Sequence, residues 1–223
     1  MKKYAIIVAG GKGVRMGNDI PKQFLELCGK PLLMHSIERF FAYDNAISIL
    51  VVLPQFQIDF WEGLCKKHRF IIPHIIIQGG DERYYSVKNG VDAISDSDSI
   101  VAIHDGVRPL VSNATIERCF AVALEKGNAI PSIGVVDSVR IEHLDKNEVV
   151  DRNKLRLIQT PQTFQTKILK DAYNQDWHSG LTDDATVIES FGYSINLVEG
   201  NRENIKVTSP IDLKLAELFL AVE

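Results

Sequence analysis

Hydrophobic and polar residues fall in blocks along this chain. The apolar runs Tyr4–Val8, Ile47–Leu53, His74–Ile77 and Ile100–Ile103 are short and end in polar or glycine-containing segments. That is the pattern of strands buried on both faces. Between them, apolar positions recur at helical spacing over Pro31–Phe41, Gln57–His68, Arg83–Ile94 and Asn113–Glu125. Strand and helix alternate, which predicts an α/β fold with a mostly parallel sheet and helices on both faces. Strand ends carrying Gly, Asp, Arg or Ser should then line one crevice at the carboxyl edge.

The pattern changes after Ala129. Ile133–Val136 is strand-like, and Ser138–Ile141 and Val149–Arg152 flank the polar turn Asp145-Lys146-Asn147. This predicts a β-arm over about 135–154 that leaves the sheet. An isolated hairpin is marginal in water, so the arm is expected to pack on a second subunit. A strand at Arg156–Gln159, helices at Lys167–Tyr173 and Asp183–Phe191 and a strand at Ser194–Val198 follow. A last helix opens at Ser209-Pro210, where Ser caps and Pro takes the first helical position. No repeat or linker divides the chain, and a single domain over residues 1–223 is expected.

Composition narrows the partners. The chain is 45% hydrophobic and 24% charged with a net charge of −4, so no basic field points to nucleic acid or a membrane surface. No apolar run is long enough to span a bilayer, and the first is too short for a signal peptide. Cys28, Cys65 and Cys119 are widely spaced and form neither a metal-ligand pair nor a disulfide framework. They fit a reducing, cytoplasmic compartment.

The chemistry starts at Ala9–Gly17, directly after the first apolar run. Four glycines in nine residues let the backbone turn sharply and aim successive N–H groups at anionic oxygens. Arg15 and Lys22 add fixed positive charge. A P-loop needs Ser or Thr after Gly-Lys, but Gly11-Lys12 precedes Gly13 and Gly29-Lys30 precedes Pro31. A dinucleotide fingerprint needs a third glycine where Met16 stands. The stretch therefore predicts a phosphate cradle of another kind.

Three further constellations follow. Gly79-Gly80-Asp81-Glu82-Arg83 with Ser86 marks a strand-to-helix junction where a ligand can come close to the backbone. In His104–Pro109, Asp105 ends a strand and is placed to orient a ligand hydroxyl or a hydrated magnesium ion. Arg108 either clamps a phosphate or pairs with Asp105, and His104 reads as a satisfied, half-buried histidine rather than a base. The rest is scattered: Ser138, Arg152, Thr160, Thr182 with Asp183-Asp184, and Asn204-Ile205-Lys206. Each alone reads as a solvated surface residue, and only the fold can gather them.

Together these segments resemble the 2-C-methyl-D-erythritol 4-phosphate cytidylyltransferases of the non-mevalonate isoprenoid pathway. The likeness runs in order through Ala9–Gly17, Pro21-Lys22-Gln23, Gly79–Arg83, Ser86-Val87, His104–Pro109, Val150-Asp151-Arg152, Gln159–Gln162, Thr182–Asp184 and Glu199–Thr208. Gly10, Gly106-Val107 and Ser138 depart slightly from the usual residues. The resemblance implies a Rossmann-like nucleotidyltransferase sheet with a protruding β-arm that mediates dimerisation. It implies CTP and a polyol phosphate as substrates, Mg²⁺ as cofactor, and a homodimer with exchanged arms. Arg15 and Lys22 would stabilise the triphosphate. The backbone of Ala9, Gly10, Gly11 and Gly13 would hold CTP, with Gly79, Gly80 and Ser86. Asp105 would lie between the nucleotide and the polyol phosphate, and it is also the candidate magnesium contact. Arg152 and Lys206 would position the substrate phosphate, with Arg108, Ser138, Thr160 and Thr182 on the same side. Other possibilities are a ribitol-5-phosphate cytidylyltransferase, a nucleotidyltransferase using GTP or UTP, and a non-catalytic nucleotide-binding module.

Overall fold

The computed structural model describes residues 1–10 and 20–222. Its centre is four parallel strands in the order β5 (Ile75–Gln78), β4 (Ser48–Leu53), β1 (Lys2–Val8) and β6 (Ser99–Asp105). The chain builds outward from β1 through β4 to β5, then returns to lay β6 on the other side of β1. This reversal puts a topological switch point between the carboxyl ends of β1 and β6, where Val8 is level with Asp105.

Both faces of β1 are buried, which explains its unbroken apolar run. Ala5 and Ile7 face a cluster with Phe40 of α1 (Leu32–Tyr43), Trp61 of α2 (Ile58–Lys67) and Phe120 of α4 (Asn113–Lys126). Tyr4 and Ile6 face the opposite cluster, with Val87 of α3 (Arg83–Asp92), Leu169 of α5 (Thr166–Ala172) and Ile188 of α6 (Asp184–Ser190). The helix ends follow local chemistry. Ser112 caps α4 by accepting from the Thr115 N–H at 3.2 Å, and Gly127 closes it at φ 91°. A third cluster joins Leu27, Leu32, Leu110 and Val207 to Ala216 of α7 (Pro210–Val222). No described helix is long and apolar enough to cross a membrane.

The far half of the sheet departs from the expected pattern. β7 (Asn128–Gly134) starts five residues before the predicted Ile133. β11 (Gln162–Gln165), not predicted at all, pairs antiparallel with β6 and with β7. Three of its four residues are polar, so no apolar run announces it. Its buried Gln162 is satisfied by tertiary partners, donating to Asp183 at 2.8 Å and accepting from the Ala185 N–H at 2.8 Å. β10 (Arg156–Ile158) lies antiparallel and β12 (Leu197–Glu199) parallel to β7. A short hairpin of β2 (Glu26–Leu27) and β3 (Lys30–Pro31) precedes α1. A hairpin forms within the bounds of the expected arm. β8 (Val139–Glu142) and β9 (Asn147–Val150) pair antiparallel as their own two-stranded sheet, with Leu144 and Val149 exposed.

Phe40 links the core to the strand that carries the site, its ring meeting His104 edge-on at 5.1 Å. Phe40→Ala should lower the unfolding free energy by about 3–5 kcal/mol, seen as a reduced denaturant midpoint at unchanged slope.

Candidate active site

The carboxyl ends of β1, β5 and β6 open onto a cleft of about 360 Å³ lined by Gly10, Lys22, Gly80, Ser86, Asp105 and Lys206, among others. Backbone bonds between neighbouring strands set its floor. The Ala9 N–H donates to the Val52 carbonyl at 2.9 Å, Gly106 to Val8 at 2.9 Å and Gly79 to Leu53 at 2.8 Å. Gly80 then turns into α3, and its N–H donates to the Ser86 hydroxyl at 3.1 Å. A Cβ on Gly80 would come within 2.4 Å of the Tyr85 Cβ, so the close turn requires glycine.

Asp105 is the electrostatic centre. It is 8% exposed, and its Oδ2 meets Lys206 Nζ at 2.9 Å and Arg108 Nε at 3.5 Å. Its Oδ1 faces Arg83 Nε at 3.9 Å. Burial alone would raise the carboxyl pKa, but Arg83, Lys206 and Arg108 outweigh it and hold the group well below the usual carboxylate range. Arg83 is itself fixed from behind. Its two terminal nitrogens donate to Asp184 Oδ1 and Oδ2 at 2.8 and 2.7 Å, and the Tyr173 hydroxyl donates to Asp184 Oδ1 at 2.6 Å.

Behind Asp105 lies a chain of hydrogen bonds. The Asp105 N–H donates to Thr160 Oγ1 at 3.1 Å, and that hydroxyl lies 3.0 Å from His104 Nδ1. His104 Nε2 lies 2.9 Å from the Arg108 carbonyl. The consistent assignment has Thr160 donating to Nδ1 and the ring donating from Nε2, a neutral imidazole. His104 is fully buried, so it is sealed from the cleft more completely than the half-buried expectation.

The structure thus brings together Ala9, Gly10, Lys22, Gly79, Gly80, Ser86, Asp105, Arg108 and Lys206. Thr160 stands behind the cleft, where it supports Asp105. Ser138, Arg152 and Thr182 are exposed and do not line the cleft of their own chain. Arg152 leaves the base of the arm and donates to the Val136 carbonyl. Gly11, Gly13 and Arg15 lie outside the described residues. Residue-type reasoning gave no site role to Gln23, which is buried at the cleft edge. It donates to the Ala9 carbonyl at 2.7 Å and to Gln57 Oε1 at 2.6 Å. Nor did it give one to Arg83 or Asp184. Their only signal was membership of the Gly79–Arg83 and Thr182–Asp184 segments, which alone read equally as a turn and as solvated surface.

The cleft donors also bear on magnesium. Among the described residues no three His, Cys, Asp or Glu side chains form a metal-binding group. Asp105, with Asp81 and Glu82 also lining the cleft, nevertheless suits magnesium, which keeps waters and favours one or two carboxylates plus substrate oxygens.

The buried histidine makes ligand-free stability depend on pH. Burial lowers the His104 pKa to about 4, against about 6.5 in the unfolded chain. Between these values the unfolded chain binds more protons, so stability rises with pH. This contribution is fully present above pH 6.5 and is lost as pH falls toward 4. Between pH 7 and pH 4.5 the protein should lose roughly 2–3 kcal/mol more than His104→Gln. Denaturant titrations at the two pH values measure the difference, and equal losses would refute it.

Three comparisons place this geometry among known proteins. The 2-C-methyl-D-erythritol 4-phosphate cytidylyltransferase family model matches residues 4–222. The chain is 50% identical over 222 residues to the protein of that name from Phocaeicola vulgatus, covering 99% of this chain and 100% of the relative. The crystal structure of the Francisella tularensis 2-C-methyl-D-erythritol 4-phosphate cytidylyltransferase superposes with a TM-score of 0.81 at 28% identity, over 98% of this chain and 99% of that one. An Anaerococcus prevotii 4-diphosphocytidyl-2C-methyl-D-erythritol synthase shares the fold, with a TM-score of 0.83 at 24% identity over 99% of this chain and 96% of that one. With its switch-point cleft and a match over nearly its whole length, the chain belongs to the 2-C-methyl-D-erythritol 4-phosphate cytidylyltransferase family.

Proposed function

We infer that the cleft is where this enzyme joins CTP to 2-C-methyl-D-erythritol 4-phosphate. The products are CDP-methylerythritol and pyrophosphate, on the non-mevalonate route to isoprenoid precursors. One observation carries the assignment to this cleft: Asp105, Arg83, Arg108 and Lys206 gather at the switch point, with Lys22 on the cleft wall. A phosphate oxygen of the polyol phosphate attacks the α-phosphorus of CTP. The new P–O bond forms as the bond to the bridging β-phosphate oxygen breaks, and pyrophosphate leaves with that electron pair. The nucleophile arrives as an anion, so the reaction needs no protein base. The burial of neutral His104 agrees with this.

The obstacle is mutual repulsion between two anions, and the protein's work is positioning and charge stabilisation. The backbone of Ala9, Gly10, Gly11 and Gly13 cradles the triphosphate, with Gly79, Gly80 and Ser86 on the nucleoside side. Arg15 and Lys22 neutralise charge at the α-phosphoryl and the leaving group. Lys206, aimed by Asp105, meets the attacking phosphate, and Arg108 backs Asp105. Asp105 would hold a magnesium ion carried on the CTP phosphates, which supplies Lewis-acid neutralisation of phosphoryl charge when bound. The exposed arm suits a homodimer in which Ser138 and Arg152 of one protomer reach the partner's cleft, with Thr182 on the polyol side. A cytoplasmic location fits the unpaired thiols.

Pyrophosphate release from CTP, measured with methylerythritol phosphate and ribitol phosphate side by side, tests the assignment. Higher kcat/KM for methylerythritol phosphate is expected, and the reverse order would overturn it. Lys22→Ala should lower kcat by about 10²–10³. Arg152→Ala should mainly raise KM for the polyol phosphate, and an unchanged KM would sink the positioning role of the arm.

A further inference from the structure

Arg83 and Asp184 begin α3 and α6, and the chemistry above gives neither a role. They form a charge pair at the cleft wall, with Arg83 lining the cleft and Asp184 behind it. Asp184 is fully buried and Arg83 is about one-third exposed. The two-pronged contact uses both terminal nitrogens of the guanidinium. A substrate phosphate could take that fork only by leaving a buried carboxylate unpaired, a costly exchange. What remains is the Arg83 Nε–H edge, 3.9 Å from Asp105 Oδ1, within ion-pair reach but beyond hydrogen-bond length.

On the other edge of Asp105, Oδ2 holds Lys206 at 2.9 Å. The Lys206 side chain is 43% exposed, so packing does not fix its aim and its bond to Asp105 must. We propose that Arg83, locked by Asp184 and Tyr173, is a positioning residue for Asp105: it pins the Oδ1 edge so that Oδ2 presents Lys206 to the polyol phosphate. Arg83 brings direction as well as charge. A lysine there would keep the charge but lose the two-pronged hold on Asp184 and the fixed Nε edge. The role rests on the cleft reaction proposed above.

Two variants separate positioning from simple support of the fold. Arg83→Lys should raise KM for methylerythritol phosphate by about tenfold or more while leaving KM for CTP within about twofold. The combined Arg83→Met, Tyr173→Phe, Asp184→Leu variant removes the buried charges as a set and so avoids an orphaned ion. It should fold and show the same selective rise in KM. A folded combined variant with wild-type KM for both substrates would overturn the proposal, as would full rescue by Arg83→Lys. A third arm does not depend on turnover: the Arg83 Nε–H resonance in ¹⁵N-edited NMR should shift in Asp105→Asn, and no shift would equally overturn the role. If the wild-type protein released no pyrophosphate, the assigned reaction would fail, and the NMR arm would still decide whether Arg83 holds Asp105.

Discussion

A single carboxylate organises the cleft. Asp105 is removed from water at the end of β6, and a buried charge survives only if other charges and dipoles replace its hydration. Arg83, Arg108 and Lys206 supply the charges, and Thr160 accepts from its N–H. Each partner comes from a different part of the chain. Folding Asp105 into place therefore assembles most of the described site at the same time.

The sheet makes that convergence possible. β1 and β6 lie side by side and parallel, so their carboxyl ends open at one level. The chain leaves β1 toward β4 and returns on the far side, which places the switch point between these two ends. Antiparallel β11 then brings Thr160 and Gln162 under the cleft. Its preceding Gln159 holds the Asn201–Asn204 turn, donating to the Asn201 carbonyl at 2.9 Å, and this sets the approach to Lys206. Lys22, Arg83 and Lys206 share the cleft with Asp81, Glu82 and Asp105, so on a chain of net charge −4 its cations are a local arrangement, unsuited to a long polyanion.

Much of this was legible in the order of residues. The four parallel strands and their helices follow from buried apolar runs and helical spacing, because a strand covered on both faces must be apolar throughout. Lys22, Gly79, Gly80, Ser86 and Asp105 were legible as chemistry from residue type and position near strand ends, whereas Lys206 took its role only from the resemblance. β11 escaped because its buried polar side chains are paid for by distant hydrogen bonds that no local pattern encodes. Thr160 looked like a surface residue until the fold placed its hydroxyl between Asp105 and His104.

By itself, the sequence determined most strand and helix blocks, the departing hairpin and the family. These depend on local periodicity, backbone freedom and ordered motifs. Only the tertiary structure decided which charges meet. Arg83 grips a carboxylate 101 positions away, and Lys206 meets another an equal 101 positions back along the chain. Ion pairing depends on distance in space and on the removal of water, and neither is written in residue spacing.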